Sequence, residues 1–127
     1  MKTLLRNNMS KFTNAVTLAK NCDRLTHSYM RTVAILSSAG EVHGFVSYEL
    51  KTTEPNDEPT DYMYELHLHD DALGKGLGAA LLAVVESKSR TSGANRVMLT
   101  THKKNKRALH FFKLQVNSFA PLPHPCW

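Results

Sequence analysis

Residues 62–90, with the sequence YMYELHLHDDALGKGLGAALLAVVESKSR, decide the fold of this chain. Alternating apolar and polar residues over 61–68 predict a β-strand, and the apolar residues from Ala79 to Val85 recur at helical spacing. Three glycines separate the two elements: Gly74, Gly76 and Gly78. Glycine lets a backbone approach an anion closely, and the unpaired amides of a first helical turn point at it. The stretch predicts a strand–loop–helix unit suited to phosphate, although the glycines alone are equally consistent with a tight turn.

The remaining segments predict a mixed α/β domain. We expect an amphipathic helix over residues 1–20, a hairpin of strands over 32–37 and 42–50, an exposed loop over 51–60, a buried strand over 97–101 and a helix beginning at Asn105. Helices that alternate with strands in this order are typical of α/β folds. We assign residues 1–117 to a single domain and residues 118–127, which contain three prolines, to an irregular tail.

Composition excludes several classes of protein. The 127 residues suffice for one domain, and 16 basic against 11 acidic residues give a net charge of +5, which suits a phosphate-rich ligand. No dense block of basic and aromatic residues predicts nucleic-acid binding, and no apolar run predicts a membrane span. The two cysteines lack ligand spacing, which favours a reduced intracellular protein. His67 and His69 alternate without a third ligand, so we expect no metal site.

The segments around the glycine loop carry a more specific signal. They read Tyr62-x-Tyr64-Glu65, Lys75-Gly76-Leu77-Gly78, and Val97-Met98-Leu99-Thr100 with Asn105 five residues further on. Together they resemble the acetyl-CoA motif of the GNAT superfamily of acetyltransferases, and they are most similar to the NatD-type N-terminal acetyltransferases. The similarity runs without gaps from about residue 62 to residue 113.

This resemblance implies a GNAT fold, a central mixed sheet flanked by helices, with acetyl-CoA as co-substrate. It implies that the main chain of one strand pairs with the pantetheine of acetyl-CoA, that the loop amides hold its pyrophosphate, and that two further residues contact it from the other side. These three groups are Leu66, His67 and Leu68; Gly74, Lys75, Gly76, Leu77, Gly78 and Ala79; and Thr100 and Asn105. Tyr64 matches a substrate-binding tyrosine, and Tyr62 shares its strand face by spacing.

Glu65 matches the acid that serves the acceptor amine. An α-amino group near pKa 8 needs little help to lose its proton at pH 7, and a carboxylate can accept that proton directly or through one water. The alternative is a strand-end acid paired with a lysine, just as the two tyrosines could be packing residues only.

The resemblance also implies a substrate, the histone N-terminus that begins Ser-Gly-Arg-Gly. We expect an enzyme of the cytoplasm and nucleus, and a monomer. Acids on the preceding strand and loop would suit the substrate arginine. The candidates are Glu49, Glu54 and Asp57.

The sequence departs from the family pattern at several places. Leu73 and Gly74 stand where the family prefers basic residues, no tryptophan follows the first helix, and Phe111 or Phe112 stands where many members carry a tyrosine. The family continues into two further strands, so we expect a truncated chain in which the terminal strands are missing. Two alternatives stay open: a catalytically impaired module that binds acetyl-CoA or a protein partner, and a GNAT enzyme that acts on a different amine.

Overall fold

The structure is a computed structural model that describes residues 1–53 and 57–116. Within these two ranges, four strands form one sheet: β1 (Arg31–Leu36), β2 (Val42–Thr53), β3 (Glu58–Leu68) and β4 (Arg96–Leu99). The described residues also form four α-helices: α1 (Lys2–Met9), α2 (Ala15–Arg24), α3 (Leu77–Thr91) and α4 (Lys106–Val116). A 3-10 turn over Asp70–Ala72 follows β3. None of the helices within the described ranges is long and apolar enough to cross a membrane.

The sheet has the order β1-β2-β3-β4 and is mixed. β1, β2 and β3 are antiparallel neighbours, and β4 lies parallel to β3 at the end of the order. Parallel neighbours need a crossover connection, and α3 supplies it. The architecture confirms the predicted α/β fold, with a mixed sheet flanked by helices, and it confirms the predicted hairpin of β1 and β2.

Each face of the sheet is covered by one pair of helices. α3 and α4 pack on one face around the buried residues Val46, Tyr48, Met63, Leu81, Leu82, Val85 and Phe112. α1 packs with α2 on the other face around Leu4, Leu5, Cys22 and Phe45. Val46 and Phe45 are neighbours in β2 and point to opposite faces, as strand geometry requires. The chain therefore builds three layers, with the sheet between the two pairs of helices.

The N-terminal helix predicted over residues 1–20 is wrong in one respect, because it is two helices. α1 ends at Met9, and Asn14 begins α2 by accepting a hydrogen bond from the Thr17 amide at 2.9 Å. Asparagine is a favoured residue at this position because its side chain satisfies an amide that the helix cannot. The apolar stripe continues across the break, which is why periodicity alone did not reveal it.

The loop predicted over residues 51–60 is also wrong at both of its ends. Thr52 and Thr53 pair with Pro59 and Glu58, so β2 and β3 extend into the charged segment. The strand predicted over 97–101 ends earlier, at Leu99. The predicted tail, and with it the expectation of a truncated end, falls on residues outside the described ranges.

Candidate functional site

The two parallel strands separate at the end of their short ladder. β3 pairs with β4 only from Thr60 to Met63, whereas β3 itself continues to Leu68. The gap opens into a cavity of about 610 Å³, which is lined by β3, the loop before α3, the segment after β4, the inner side of α4 and the end of α1. A cavity of this size is in the range of ligand sites.

One side of the cavity is the unpaired edge of β3. The His69 amide donates to the His43 carbonyl at 2.7 Å, and antiparallel partners alternate between bonded and non-bonded pairs. This alternation directs the main chain of His67 toward β2 and leaves the N–H and C=O groups of Leu66 and Leu68 directed at the gap. Two of the three residues predicted to pair with pantetheine thus offer main-chain groups to the cavity, and His67 offers its side chain instead.

The glycine loop forms the second side. Gly74 and Gly76 have φ angles of +70° and +75°, in the left-handed region that favours glycine, and a Cβ at either position would meet nothing within 4 Å. Gly76 begins α3, and the first helical bond is that of Ala80 to its carbonyl. The preceding amides of the helix start have no intrahelical partner and border the cavity, so they can hold an anion. They belong to Gly76, Leu77, Gly78 and Ala79.

The cations that line the cavity come from outside the glycine loop. Lys75 is exposed and does not contribute to the cavity wall, whereas Lys11 and Arg107 do. Lys11 comes from the segment after α1 and Arg107 from the first turn of α4, so no local motif could have revealed them. Beside them Phe12 stacks on His102 with ring centroids 6.0 Å apart, which connects the segment after α1 to the segment before α4.

Thr100 and Asn105, predicted to contact the co-substrate, both line the cavity. Each also has a partner within the protein. Asn105 Oδ1 accepts from the Ala108 amide at 3.2 Å and so begins α4, and Thr100 accepts a hydrogen bond from the Tyr62 hydroxyl at 3.2 Å. Thr100 therefore links the cavity to the opposite face of the sheet.

A β-bulge at Tyr64 determines which side chains of β3 lie on the same face of the sheet as Tyr62. Ser47 pairs with Glu65 and the next residue of β2, Tyr48, pairs with Met63, which leaves Tyr64 as an extra residue. Strict alternation would separate Glu65 from the tyrosines, but the extra residue brings it to the same face. The sequence predicted the pairing of Tyr62 with Tyr64, whose ring centroids are 4.8 Å apart, but did not predict the bulge.

Glu65 and His67 form a buried pair beside the cavity. Both are 6% exposed, and His67 Nε2 lies 2.7 Å from Glu65 Oε2. The nitrogen at the other side of the imidazole, Nδ1, lies 3.4 Å from the Asn8 side-chain amide. The partner of Glu65 is thus a histidine rather than the lysine of the alternative interpretation. Two polar residues at i and i+2 on a strand are the sequence signal for such a pair.

Glu49 and Asp57, two of the three acids expected to serve a substrate arginine, have different environments. Glu49 accepts from the Tyr64 hydroxyl at 3.1 Å and pairs with Lys51 at 3.4 Å. Hydrogen bonding to Tyr64, with a further contribution from Glu49, raises the pKa of Lys51 above its ordinary value. Asp57 is exposed in the turn between β2 and β3, and Glu54 lies outside the described residues.

Two cations lie against Tyr64. The Arg24 guanidinium is 4.4 Å from the ring centroid and the Lys51 ammonium is 4.9 Å from it, distances at which cations are attracted to an aromatic face. Cys22 is buried beneath α1 and plays no part in the cavity wall. Across residues 1–53 and 57–116, no group of three or more His, Cys, Asp or Glu residues could hold a metal ion.

A splayed strand pair with free strand amides and a glycine-started helix defines an acyltransferase site for a coenzyme A thioester. The family described as the Acetyltransferase (GNAT) family matches residues 5–115, and the chain belongs to this family. It is an N-acetyltransferase that depends on an acyl-CoA donor, and its family uses acetyl-CoA. The main-chain groups of Leu66, the Leu68 amide and the open space at Gly76 fit that donor, whereas the Leu68 carbonyl already accepts from Asn8 Nδ2 at 3.1 Å. No curated protein sequence matches the chain.

Solved structures share the fold at low sequence identity. A Pyrococcus furiosus protein, named provisionally as an acetyl transferase, has a TM-score of 0.76 at 18% identity, covering 99% of this chain and 87% of that one. A Trypanosoma brucei acetyltransferase has a TM-score of 0.66 at 20% identity, with coverages of 99% and 86%. An aminoglycoside acetyltransferase from an uncultured soil metagenome, crystallised with sisomicin, has a TM-score of 0.70 at 14% identity, with coverages of 98% and 82%.

Proposed function

We propose that the protein transfers the acetyl group of acetyl-CoA to the α-amine of a peptide, with Glu65 as the base. The observation that carries this proposal is the position of Glu65, which borders the cavity and shares a strand face with Tyr62 and Tyr64. In the reaction the amine nitrogen bonds to the thioester carbonyl carbon, the carbon–sulfur bond breaks, and coenzyme A leaves as a thiolate that takes a proton from solvent. The proton of the amine passes to Glu65, directly or through water.

The acceptor that we propose is a histone-type N-terminus beginning Ser-Gly-Arg-Gly. The similarity to NatD-type enzymes supports it, and so does the carboxylate of Glu49 on the acceptor face, bound by the Tyr64 hydroxyl. A substrate guanidinium can take the place of Lys51 at Glu49, because arginine binds a carboxylate through two parallel hydrogen bonds. Such a substrate implies a protein of the cytoplasm and nucleus that acts as a monomer.

The first experiment is mass spectrometry of a Ser-Gly-Arg-Gly-Lys peptide after incubation with acetyl-CoA. We expect one acetyl group on the α-amine, and a peptide with a blocked N-terminus and a free lysine to stay unmodified. Glu65→Gln should lower the rate about 10²- to 10⁴-fold, the usual contribution of a general base, and retain coenzyme A binding. The matched control is Glu41→Gln, which changes an exposed glutamate in the turn between β1 and β2. Unmodified protein that binds coenzyme A but acetylates neither amine would contradict the proposal and indicate a binding module.

The second experiment tests the acceptor sequence. Replacing the substrate arginine by alanine, or Glu49 by glutamine, should raise the peptide KM, and the two changes together should cost no more than either alone. A Ser-Gly-Glu-Gly-Lys peptide is the critical competitor, because Arg24 and Lys51 lie over Tyr64. Preference for this acidic peptide would show that the histone assignment is wrong while the reaction itself stands.

A further inference from the structure

A chain of hydrogen bonds connects the proposed base to α1. Asn8 Nδ2 lies 3.1 Å from the Leu68 carbonyl oxygen and 3.4 Å from His67 Nδ1, and His67 Nε2 lies 2.7 Å from Glu65 Oε2. All three side chains border the same cavity. These hydrogen bonds thus extend from α1, on one face of the sheet, to the Glu65 carboxylate, which faces the acceptor in the proposed reaction.

These hydrogen bonds determine which nitrogen of His67 carries the proton. A carbonyl oxygen only accepts, so the Asn8 atom beside Leu68 must be the amide nitrogen, which only donates. His67 Nδ1 faces that nitrogen and therefore carries no proton, although the contact of 3.4 Å is long. The proton of the neutral imidazole is then on Nε2 and is donated to Glu65. An imidazolium would direct a second N–H at the amide nitrogen of Asn8, which cannot accept it.

We propose that His67 is a positioning residue of the acetyl-transfer site and that Asn8 sets its tautomer. The neutral imidazole binds Oε2 of Glu65, holds the carboxylate in one rotamer and leaves Oε1 for the acceptor amine. A hydrogen bond from a neutral imidazole leaves the Glu65 carboxylate ionised, so Glu65 can still accept a proton from the amine. This inference rests on the proposed function and extends it to two residues that the acetyl-CoA motif leaves unexplained.

The neighbours of Glu65 and His67 in the adjacent strand β2 are uncharged. Phe45 of β2 packs against the imidazole with ring centroids 5.4 Å apart, and Ser47 is the strand partner of Glu65. The charged and titratable groups of the cavity wall are Lys11, Asp70, His102 and Arg107, and Glu49 lies outside that wall, bound by the Tyr64 hydroxyl. These groups are unchanged in every variant described below, so a comparison between variants isolates Asn8, His67 and Glu65.

The tautomer can be measured without any activity. Long-range ¹H–¹⁵N correlation spectra of the full chain at neutral pH should show His67 with its proton on Nε2. Asn8→Asp places an acceptor at Nδ1, so His67 should then carry a proton on Nδ1. Asn95→Asp adds the same charge at an exposed residue before β4, outside the cavity wall, and should leave the tautomer unchanged. A proton on Nδ1 in the unmodified protein would overturn the assignment.

Kinetics test the role of the tautomer. His67→Leu should lower kcat about 10- to 100-fold, the usual effect of losing one hydrogen bond to a charged group, with little change in coenzyme A affinity. His67→Gln keeps a neutral donor and should recover most of that rate. Equal rates and pH profiles for His67→Leu and the unmodified protein would refute the role. If the unmodified protein transfers no acetyl group to any amine, the proposed function and this role both fail, whereas the spectra still decide the tautomer.

Discussion

Gly76→Ala tests whether the glycine loop binds coenzyme A or only allows the backbone to turn. Gly76 adopts φ +75° at the start of α3, and an added Cβ would meet no atom within 4 Å. The chain offers a matched control in Gly40, which has φ +81° and equally open space in the turn between β1 and β2. Both substitutions therefore impose the same kind of backbone strain, and only one of them does so beside the cavity.

The backbone strain determines how much unfolding free energy both variants lose. A left-handed conformation costs an ordinary residue about 1–2 kcal/mol, and the loss of chain entropy in the unfolded state returns about 0.4–1 kcal/mol. We expect each variant to lose about 1 kcal/mol of unfolding free energy, or about 3–5 °C in Tm for a domain of this size. Relief of the strain at Gly76 also turns its amide away from the anion, and one hydrogen bond to a charged group contributes about 1.5–3 kcal/mol.

Calorimetric titration with coenzyme A then distinguishes the two variants. Gly76→Ala should bind it about 10- to 100-fold more weakly, because 1.4 kcal/mol corresponds to a factor of ten. Gly40→Ala should bind it as the unmodified protein does, at the same reduced Tm. Equal affinities for the two variants would refute the assignment of the phosphates to this loop, whether both are weakened or neither is.

Three further predictions concern stability and the acceptor. Leu5→Ala, at a fully buried site, should cost about 2–5 kcal/mol in urea unfolding, whereas Val16→Ala, 68% exposed, should change it by less than about 0.5 kcal/mol. Burial raises the pKa of Glu86 despite Arg90, so its contribution to stability is present below the ordinary carboxyl pKa and is lost as pH rises through the folded value. Glu86→Gln should therefore raise Tm at pH 7, and melting curves should show the gain vanish near pH 4. Tyr62→Phe removes the hydroxyl that Thr100 accepts and should raise the acceptor KM without changing coenzyme A affinity, as steady-state kinetics with each substrate varied will show.

The sequence predicted those parts of the fold that depend on neighbouring residues. The glycine loop is local, because a positive φ at Gly74 and Gly76 requires glycine wherever the chain lies. The extension of β2 to Thr53 depends instead on cross-strand pairing with Glu58. Pairing between strands overrides residue preference, so Glu58 and Pro59, which are typical of a loop, nevertheless belong to a ladder.

The candidate site shows the same division. The amides of the α3 start were predicted from four consecutive residues, whereas Lys11 and Arg107 are brought to the cavity by helices from distant parts of the chain. The similarity to NatD-type enzymes drew attention to Glu65 and assigned the main chain of His67 to the co-substrate. The partnership of their side chains also needed Asn8, some sixty residues away, which no pattern in residues 62–90 contains.

The bulge at Tyr64 connects the fold to the chemistry. Up to Met63 the strand serves the core, since that side chain packs with Val46 and Phe112, and there β3 still pairs with β4. Beyond the bulge the ladder with β4 has ended, and the side chains have changed faces, so that Glu65 joins the tyrosines. A regular strand would direct Glu65 into the apolar layer beneath α3 and α4, where an ionised carboxylate is costly. The extra residue thus places the edge amides on the donor side and the carboxylate on the acceptor side within four positions of one strand.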